Sequence, residues 1–437
     1  MFGFKKESII DEIKDKRILI FTVSCWGDNG ANTLASLFSW VDESNIANVY
    51  FRAGIPTCET CNKYFYFSEN KIIRSIFKKT VTGTRIERNS FIDSREASSE
   101  QNRYSIFRKF RPYTGLFIRE LLWKIGKWKS KEFDAFIDDF RPDYIIYPHE
   151  GYIYFNRIVN YTIKKTQAKA FGFFWDDNFT FKQHPWNPLY LLYRLFQKAS
   201  IKKNVKISLG HFSITPMTKK EADHTFKINS IFLTKPIFSF HNIDTLRDCS
   251  CPPINITYTG NLGIGRIKSL FELSRALEAV DPNCTLFSLN IYSNTVLTKL
   301  EKKRLSKHII FHGRISSKAA NDKQKESDVL LLLEPISGFN KFTPRLSFST
   351  KLADYISRKR CILAIAPRSI ASMTYLIENE AALVACNRKE IINALSLLIA
   401  NNEVTNKYAS NAYLLGMKNH YAPVIFNKLQ HELIKNK

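Results

Sequence analysis

The sequence predicts an α/β protein of two doubly wound domains, each with a parallel sheet covered by helices on both faces. Short strand-like apolar runs alternate with longer helical stretches, which is the pattern of strand–helix–strand units. The same plan occurs twice along the chain. Its 437 residues, 44% of them hydrophobic, are enough for two cores of roughly 200 residues each.

The first half begins with the apolar run 17–23, which predicts a strand, and continues into the polar loop 24–32. A helix is predicted at 33–41 and another at 155–165. The remaining strands of this half are predicted at 47–51, 143–148, 169–175, 206–210 and 231–234.

The second half begins with a strand at 254–259, followed by a helix at 270–279. Further strands are predicted at 285–292, 309–311, 329–333, 361–364 and 382–385. The aperiodic segment 236–253 marks the boundary, which gives domains at 1–240 and 241–415. Because ligands bind at the carboxyl ends of strands in such Rossmann-like sheets, two domains facing a cleft would place the active site in it.

The charge balance indicates an anionic partner. Lys and Arg number 65 and Asp and Glu 40, a net charge of +25, which suits nucleic acid, an acidic membrane surface or a phosphorylated substrate. No run approaches the roughly 20 apolar residues that span a bilayer, and the first residues lack a signal-peptide core, so we expect a cytoplasmic protein. Cys58 and Cys61 form one CxxC without a second pair, which favours reduced thiols over a zinc site.

The stretch 258–276 carries a glycine-rich loop between a strand and a helix. Gly260, Gly263 and Gly265 let the backbone approach a ligand, and the helix start attracts phosphate. Arg266 and Lys268 stand at this helix start, where cations oppose the helix dipole, so an anionic ligand would explain them. An ordinary strand-to-helix turn is the alternative.

The stretch 346–367 offers a second anion site. Ser349 and Thr350 precede a helix at 351–357, which is typical of an N-cap, and Lys351 adds a positive charge. Asp354 lies one turn later and could accept hydrogen bonds from a ribose. The alternative is a capped surface helix.

Together these stretches resemble the donor-binding domain of retaining, nucleotide-sugar-dependent glycosyltransferases of the GT-B fold, the family 4 group. A subgroup that makes bacterial surface polysaccharides is more similar, with Gly-Asn-Leu-Gly-x-Gly-Arg and Phe-Ser-Thr-Lys-x-x-Glu-Tyr where this chain has 260–266 and 348–355. Residues 311–314 resemble the step before the family's base-binding loop. The resemblance covers about residues 254–437, and it implies that 416–437 form a helix that packs back on the first domain.

The resemblance also implies a donor site and shows three departures. The donor-binding residues would be Gly260, Asn261, Gly263, Gly265, Arg266, Arg314, Ser349, Thr350, Lys351 and Asp354. Leu346 stands at the first Glu of the family's Glu-x7-Glu segment, and Asp354 replaces the second. Asn261 replaces a family Arg, which removes one phosphate-binding cation.

Glycosyl transfer leaves a nucleoside diphosphate, and cations preorganised around it stabilise its developing charge. The nucleotide sugar is then a co-substrate, and we expect no metal and no other cofactor, since Asp176 and Asp177 are adjacent rather than spaced as a metal pair. In the first domain, three residues after predicted strands are candidate catalytic or acceptor-side groups, with structural caps as the alternative: Asp28, His149 and Asp176.

Two basic, aromatic stretches suggest a membrane surface, 116–131 and 188–206. Such helices can lie in the lipid interface and attract anionic lipids. The alternative is a pair of helices that cover the sheet with their Lys and Arg in water. If the acceptor is lipid-linked, binding of these stretches to the membrane would bring the protein to its acceptor.

We therefore expect a glycosyltransferase of the EC 2.4 class. It would move a sugar from a nucleotide-diphosphate sugar to a lipid-linked or other glycan acceptor in bacterial surface polysaccharide synthesis, at the inner face of the plasma membrane. A degenerate GT-B protein that binds nucleotide sugar or glycan is the first alternative. A nucleic-acid-binding protein is the second, although the chain has no recognisable nucleic-acid motif and we expect no nucleic-acid partner.

Overall fold

The computed structural model describes residues 13, 15–27, 33–89, 112–184, 186–240, 252–400 and 402–435. The chain divides into two compact units. As far as they are described, the first comprises Met1–Ile214, Lys219–Leu233 and Phe426–Lys437, and the second comprises Thr215–Thr218 and Thr234–Ile425.

The first sheet is mostly parallel. Its strands are β1 (Ile18–Phe21), β2 (Ile46–Tyr50), β3 (Lys63–Phe67), β4 (Gly83–Glu87), β5 (Tyr144–Pro148), β6 (Lys169–Phe174), β7 (Gly210–Ser213) and β8 (Ile231–Phe232). Their order across the sheet is β4-β3-β2-β1-β5-β6-β7-β8. The edge pair β3–β4 is antiparallel, and the other neighbours run parallel.

The helices of this part begin and end at recognisable signals. They are α1 (Thr33–Leu37), α2 (Glu69–Arg74), α3 (Pro112–Ile125), α4 (Lys131–Phe140), α5 (Ile153–Thr166), α6 (Pro188–Val205) and α7 (Pro216–Phe226), with a 3-10 turn at Glu43–Asn45. Helix α6 starts after Asn187, whose side chain accepts a hydrogen bond from the Tyr190 amide. The N-terminal amides of α5 donate instead to a distant carboxylate, Glu120 on α3.

The second sheet is parallel throughout. Its strands are β9 (Ile254–Thr259), β10 (Phe287–Tyr292), β11 (Ile309–Gly313), β12 (Val329–Leu333), β13 (Cys361–Ile365) and β14 (Leu383–Ala385), in the order β11-β10-β9-β12-β13-β14. The helices that follow them are α8 (Arg266–Val280), α9 (Lys299–Lys303), α10 (Ser317–Glu326), α11 (Thr350–Ile356), α12 (Ala371–Glu378), α13 (Arg388–Ala400), α14 (Asn402–Asn419) and α15 (Ala422–Lys435).

The central strands β12 and β13 explain why this part folds as it does. Every residue of VLLLL and of CILAI is buried, as parallel strands with helices on both faces require. Leu331 and Leu363 pack into one core with Leu270 of α8. Each such leucine contributes about 1.5–3 kcal/mol through burial, so this sheet firmly positions the loops at its carboxyl edge.

The predicted α/β class, with two doubly wound parallel-sheet domains, is confirmed. The strand predicted at 206–210 was wrong, because α6 continues to Val205 and the chain enters the sheet only at Gly210. The helix predicted at 33–41 ends at Leu37. The edge strands β3 and β4 were not predicted.

Within the described residues, no helix is both long and apolar enough to cross a membrane.

Candidate functional site

The glycine-rich loop lies between β9 and α8, at the carboxyl edge of the second sheet. Gly260 has a φ of 136° and Gly265 a φ of 86°, which L side chains rarely adopt. The Tyr258 hydroxyl donates to the Asn261 carbonyl at 2.7 Å, and the Asn261 side chain accepts from the Gly263 amide. The loop is therefore held in one conformation by its own residues.

The start of α8 carries fewer free amides than the sequence suggested. The backbone N–H groups of Arg266, Ile267 and Lys268 donate to loop carbonyls at 3.1–3.3 Å. These tight turns satisfy the amides locally, so an anion at this point would depend on cationic side chains and on the helix dipole.

Lys351, near the start of α11, reaches this loop. Its Nζ donates to Tyr258 Oη at 3.0 Å and lies 4.4 Å from the ring centroid. A Cβ built on Gly260 would lie 2.2 Å from Lys351 Cε, so this glycine makes room for the lysine. The pKa of Lys351 is lowered to about 8, chiefly by burial and then by the charge of Arg266, while Glu334 acts in the opposite direction.

Arg266 is fixed by a buried carboxylate at the end of β12. Its Nε donates to the Leu333 carbonyl and to Glu334 Oε2, both at 3.1 Å, and Nη2 lies 2.9 Å from the same carboxylate oxygen. Burial raises the pKa of Glu334, while Arg266 and Lys351 lower it. Two cations and one carboxylate leave a net positive charge beside the loop, and this charge favours an anionic ligand.

The segment after β12 packs against the same loop. A Cβ on Gly265 would lie 3.2 Å from Pro335 Cβ and 3.6 Å from Asn340 Cβ. At Gly338 a Cβ would lie 3.2 Å from Lys268 Nζ. A second cation of α8 is thereby placed beside this loop segment.

Asp354, which the sequence suggested as an acceptor for a ribose, lies beside a lysine. Its Oδ1 accepts from Lys235 Nζ at 3.0 Å. Ser349 occupies the N-cap position of α11, with Thr350 as the first helical residue, and the Ser349 side chain makes no capping bond to the described backbone. Its hydroxyl is therefore not committed to holding α11.

Leu346 and Arg314 occupy contrasting environments. Leu346 is 0% exposed, and its carbonyl accepts from Thr218 Oγ1 at 2.8 Å, so it is a core residue. Arg314 is exposed and follows β11, two positions from β9 in the sheet order. Before it, the His312 ring stacks on Tyr292 at 4.6 Å.

The candidate catalytic residues of the first unit differ in accessibility. Asp28 lies outside the described residues. His149 is 1% exposed. Its Nε2 lies 3.3 Å from Nδ1 of His211, and its ring lies 4.1 Å from Phe174. Burial and then the neighbouring imidazole hold the pKa of His149 well below 6.5, so in this structure it is a neutral core histidine.

Asp176 belongs to a charged cluster at the carboxyl edge of β5 and β6. The pKa of Glu150 is raised to about 7, chiefly by burial and then by the negative charge of Asp176, while Arg52 acts in the opposite direction. Arg52 also donates to Tyr152 Oη at 2.8 Å. A carboxyl group with a pKa near 7 can exchange protons at neutral pH, which is what acid–base chemistry requires.

Sequence reasoning assigned no role to three residues that shape these sites: Tyr258, Glu334 and Lys235. Glu334 had a detectable signal, since a charge directly after a run of five apolar strand residues needs a partner. The other two offered none without three-dimensional contacts. Among the residues that the structure describes, no group of three or more His, Cys, Asp or Glu is arranged to hold a metal ion.

No family model matches the chain, and no curated protein matches it. Several solved structures do match the chain. One is HepE from Anabaena, in complex with UDP and glucose, with a TM-score of 0.60 and 10% identity over 96% of this chain and 100% of that one.

Two further matches share the architecture. TarM from S. aureus, solved as a mutant with UDP and glycan ligands, gives a TM-score of 0.57 at 10% identity over 96% of this chain and 100% of that one. Sucrose-phosphate synthase from Thermosynechococcus elongatus gives a TM-score of 0.58 at 11% identity, over 97% of this chain and 100% of that one. The chain therefore has the GT-B fold.

Proposed function

We propose that this protein is a glycosyltransferase that moves a sugar from a nucleotide-diphosphate sugar to a glycan acceptor. One observation carries the proposal: Lys351 and Arg266 meet beside a glycine-rich loop, with a net positive charge at the carboxyl edge of a parallel sheet. This is where ligands bind in such sheets. The GT-B fold is consistent with it.

The donor diphosphate would bind between the loop and Lys351. Gly260 makes room for Lys351 beside the loop, and Arg266, already oriented by Glu334, needs little reorganisation when charge develops on the leaving group. Asp354, with Lys235 beside it, would bind the ribose.

The remaining donor residues would follow the resemblance. Ser349 and Thr350 would contact the diphosphate, Arg314 would lie towards the base, and Asn261 and Gly265 would shape the loop. Because HepE and TarM were solved with UDP, UDP is the first nucleotide to test. Retention of anomeric configuration and membership of family 4 rest on the sequence resemblance.

On the acceptor side, Asp176 together with Glu150 is the best-supported pair. Its position after two adjacent parallel strands and the raised pKa of Glu150 suit the binding of an acceptor hydroxyl. His149 would act as a structural residue beneath this edge, because its ring is enclosed.

The acceptor would be lipid-linked, in bacterial surface polysaccharide synthesis at the inner face of the plasma membrane. Helices α3 and α6 lie side by side, with the Phe117 and Tyr193 rings 5.4 Å apart. Their exposed apolar residues recur at intervals of one or two turns: Ile118, Leu121 and Ile125 on α3, and Leu189, Leu192, Leu195 and Phe196 on α6. Exposed lysines accompany them: Lys124, Lys127, Lys129, Lys202 and Lys203. We call this the α3/α6 surface, and it suits an anionic bilayer.

The test is binding and turnover measured together. We expect UDP or GDP to raise the melting temperature of the wild type more than the monophosphate CMP does, and the effective nucleotide to lose this effect in Arg266→Ala. The matching nucleotide sugar should then be consumed with a glycan acceptor. Stabilisation by duplex DNA alone, lost at moderate salt, would overturn the proposal.

A degenerate GT-B protein is the second candidate, because Leu346 is a core residue where the family has a carboxylate. Such a protein would bind the nucleotide sugar and leave it intact. Donor consumption under saturating binding separates the two functions.

A further inference from the structure

Arg194 is a buried cation on the inward side of α6. The residue is 4% exposed. Its Nη2 donates to Gln183 Oε1 at 2.7 Å, and its Cζ lies 4.9 Å from the Tyr190 ring centroid. Nε and Nη1 are also enclosed, and neither has a hydrogen-bond partner among the described residues. Buried guanidinium N–H groups that lack an acceptor, as Nε and Nη1 do among the described residues, are strongly unfavourable, which points to an absent ligand that supplies acceptors.

The surroundings of Arg194 are aromatic and rich in donors. Tyr113, His184 and Tyr190 form a three-ring cluster, with Tyr190 5.5 Å from Tyr113 and 5.4 Å from His184. Arg194 makes no ion pair within the described residues. The carboxylate next to this cluster is Asp177, which is enclosed in its own loop and accepts from the Thr180 amide and hydroxyl.

A helix N-terminus adds to the positive field. Tyr113 lies in the first turn of α3, which has 14 residues and no acidic side chain in that turn. The positive end of the helix dipole therefore lies at Tyr113, whose ring centroid is 5.5 Å from that of Tyr190, the ring over which Arg194 lies. Unpaired N–H donors, a helix start and a histidine together suit a tetrahedral oxyanion, which accepts several hydrogen bonds at once.

We propose that Arg194, with His184 and Tyr113, binds a phosphate or diphosphate group, and that this group belongs to the lipid-linked acceptor. The inference deepens the proposed function and rests on it. The same helix presents Leu189 and Leu192 outward on the α3/α6 surface. A lipid phosphate entering beside Trp186, which is 94% exposed, would have its apolar chain on that surface and its charge at Arg194.

The experiment uses the full chain with Lys351→Met and Arg266→Ala combined as the parent, so that both cations of the donor site are removed. The probes are inorganic pyrophosphate and farnesyl diphosphate, each titrated while the melting temperature is recorded. At about ten times the dissociation constant, we expect a rise of roughly 2–4 °C. Arg194→Met should abolish this rise, and Lys220→Met, an exposed cation on α7, should preserve it.

Without any anion, Arg194→Met should be at least as stable as its parent, because it removes an unpaired buried charge. If Arg194→Met does not fold, Arg194→Lys replaces it and should weaken pyrophosphate binding at least fivefold. A larger shift with farnesyl diphosphate identifies a lipid phosphate, and equal shifts identify a free phosphate site. No shift with either probe, or a shift retained in Arg194→Met, overturns the proposal whether or not UDP binds the wild type.

Discussion

The Lys351 ammonium lies 3.0 Å from the Tyr258 hydroxyl oxygen and 4.4 Å above the centroid of the same ring. The aromatic face offsets part of the desolvation of the ammonium, by about 0.5–2 kcal/mol, but the pKa of Lys351 still falls to about 8 because of burial. The lysine is therefore charged at neutral pH and poorly compensated. An arriving diphosphate would restore its lost electrostatic stabilisation.

Lys351→Met should weaken binding of the nucleoside diphosphate by about 10- to 100-fold, since a charge-assisted hydrogen bond contributes about 1.5–3 kcal/mol. The fold should persist, because methionine removes a desolvated charge and keeps the volume. Isothermal titration measures the affinity, with Lys389→Met, an exposed cation of α13, as the control. Equal affinities of Lys351→Met and Lys389→Met for the diphosphate would show that Lys351 does not bind it.

The affinity for the diphosphate should depend on pH through the same lysine. The pKa of Lys351 is about 8 in the free protein, and a bound anion raises it, so the complex holds more protons than the free protein above pH 8. Affinity is then greatest below pH 8 and falls as the pH rises above it. Titrations at pH 7, 8.5 and 9.5 measure this, and Lys351→Met should give a flat profile.

Gly260→Ala should destabilise the second unit more than Gly313→Ala does. Both glycines have positive φ, 136° and 75°, and each alanine adds strain of about 1–3 kcal/mol. Only at Gly260 does the new Cβ also collide with a side chain, 2.2 Å from Lys351 Cε, whereas nothing lies within 4 Å at Gly313. Urea unfolding measures the loss in the free energy of unfolding for each variant. Equal losses would show that Lys351 moves aside freely.

The architecture was predictable because parallel strands buried on both faces have a simple signature. The run at β12 is apolar at every position. A strand with one face in water would instead alternate between apolar and polar residues. The antiparallel edge pair of β3 and β4 was not predictable in this way. Its strands carry Lys63 and Arg85 at the edge, and their pairing depends on contacts that no local pattern shows.

The candidate donor site was only partly predictable. Loop and helix signals identified Gly260 and Arg266, because glycine spacing and helix starts are local features. The partners Glu334 and Tyr258 lie 68 and 93 residues from the groups they hold, Arg266 and Lys351. Such pairings follow from strand order in the sheet, which the sequence does not spell out.

Glu150→Gln should change how stability depends on pH. Burial and Asp176 raise the pKa of Glu150 from 4.5 to about 7, so the folded state binds more protons than the unfolded state between these values. The free energy of unfolding therefore falls as the pH rises through this window and stays lower above pH 7. The variant should be about 1–2 kcal/mol more stable than the wild type at pH 8, after a discount for partial exposure.

Urea unfolding at pH 5 and pH 8 measures this difference. Glu132→Gln, on the exposed side of α4, is the matched control and should leave the pH dependence unchanged. Parallel pH profiles for the wild type and Glu150→Gln would mean that Glu150 is ionised normally, and the acceptor-side pair would lose its main support.

Leu192→Glu and Leu195→Glu should each reduce binding to vesicles of phosphatidylglycerol and phosphatidylcholine. Each change removes an exposed apolar contact worth about 1.5–3 kcal/mol on full burial and adds repulsion from anionic lipid, so we expect at least a tenfold loss. Co-sedimentation measures it, with Leu300→Glu as control, since Leu300 is 75% exposed on α9 in the other unit. Binding should also weaken as salt screens the lysines of the α3/α6 surface. Unchanged binding of both leucine variants would mean that this surface does not meet the bilayer and that its apolar residues only cover the helices beneath.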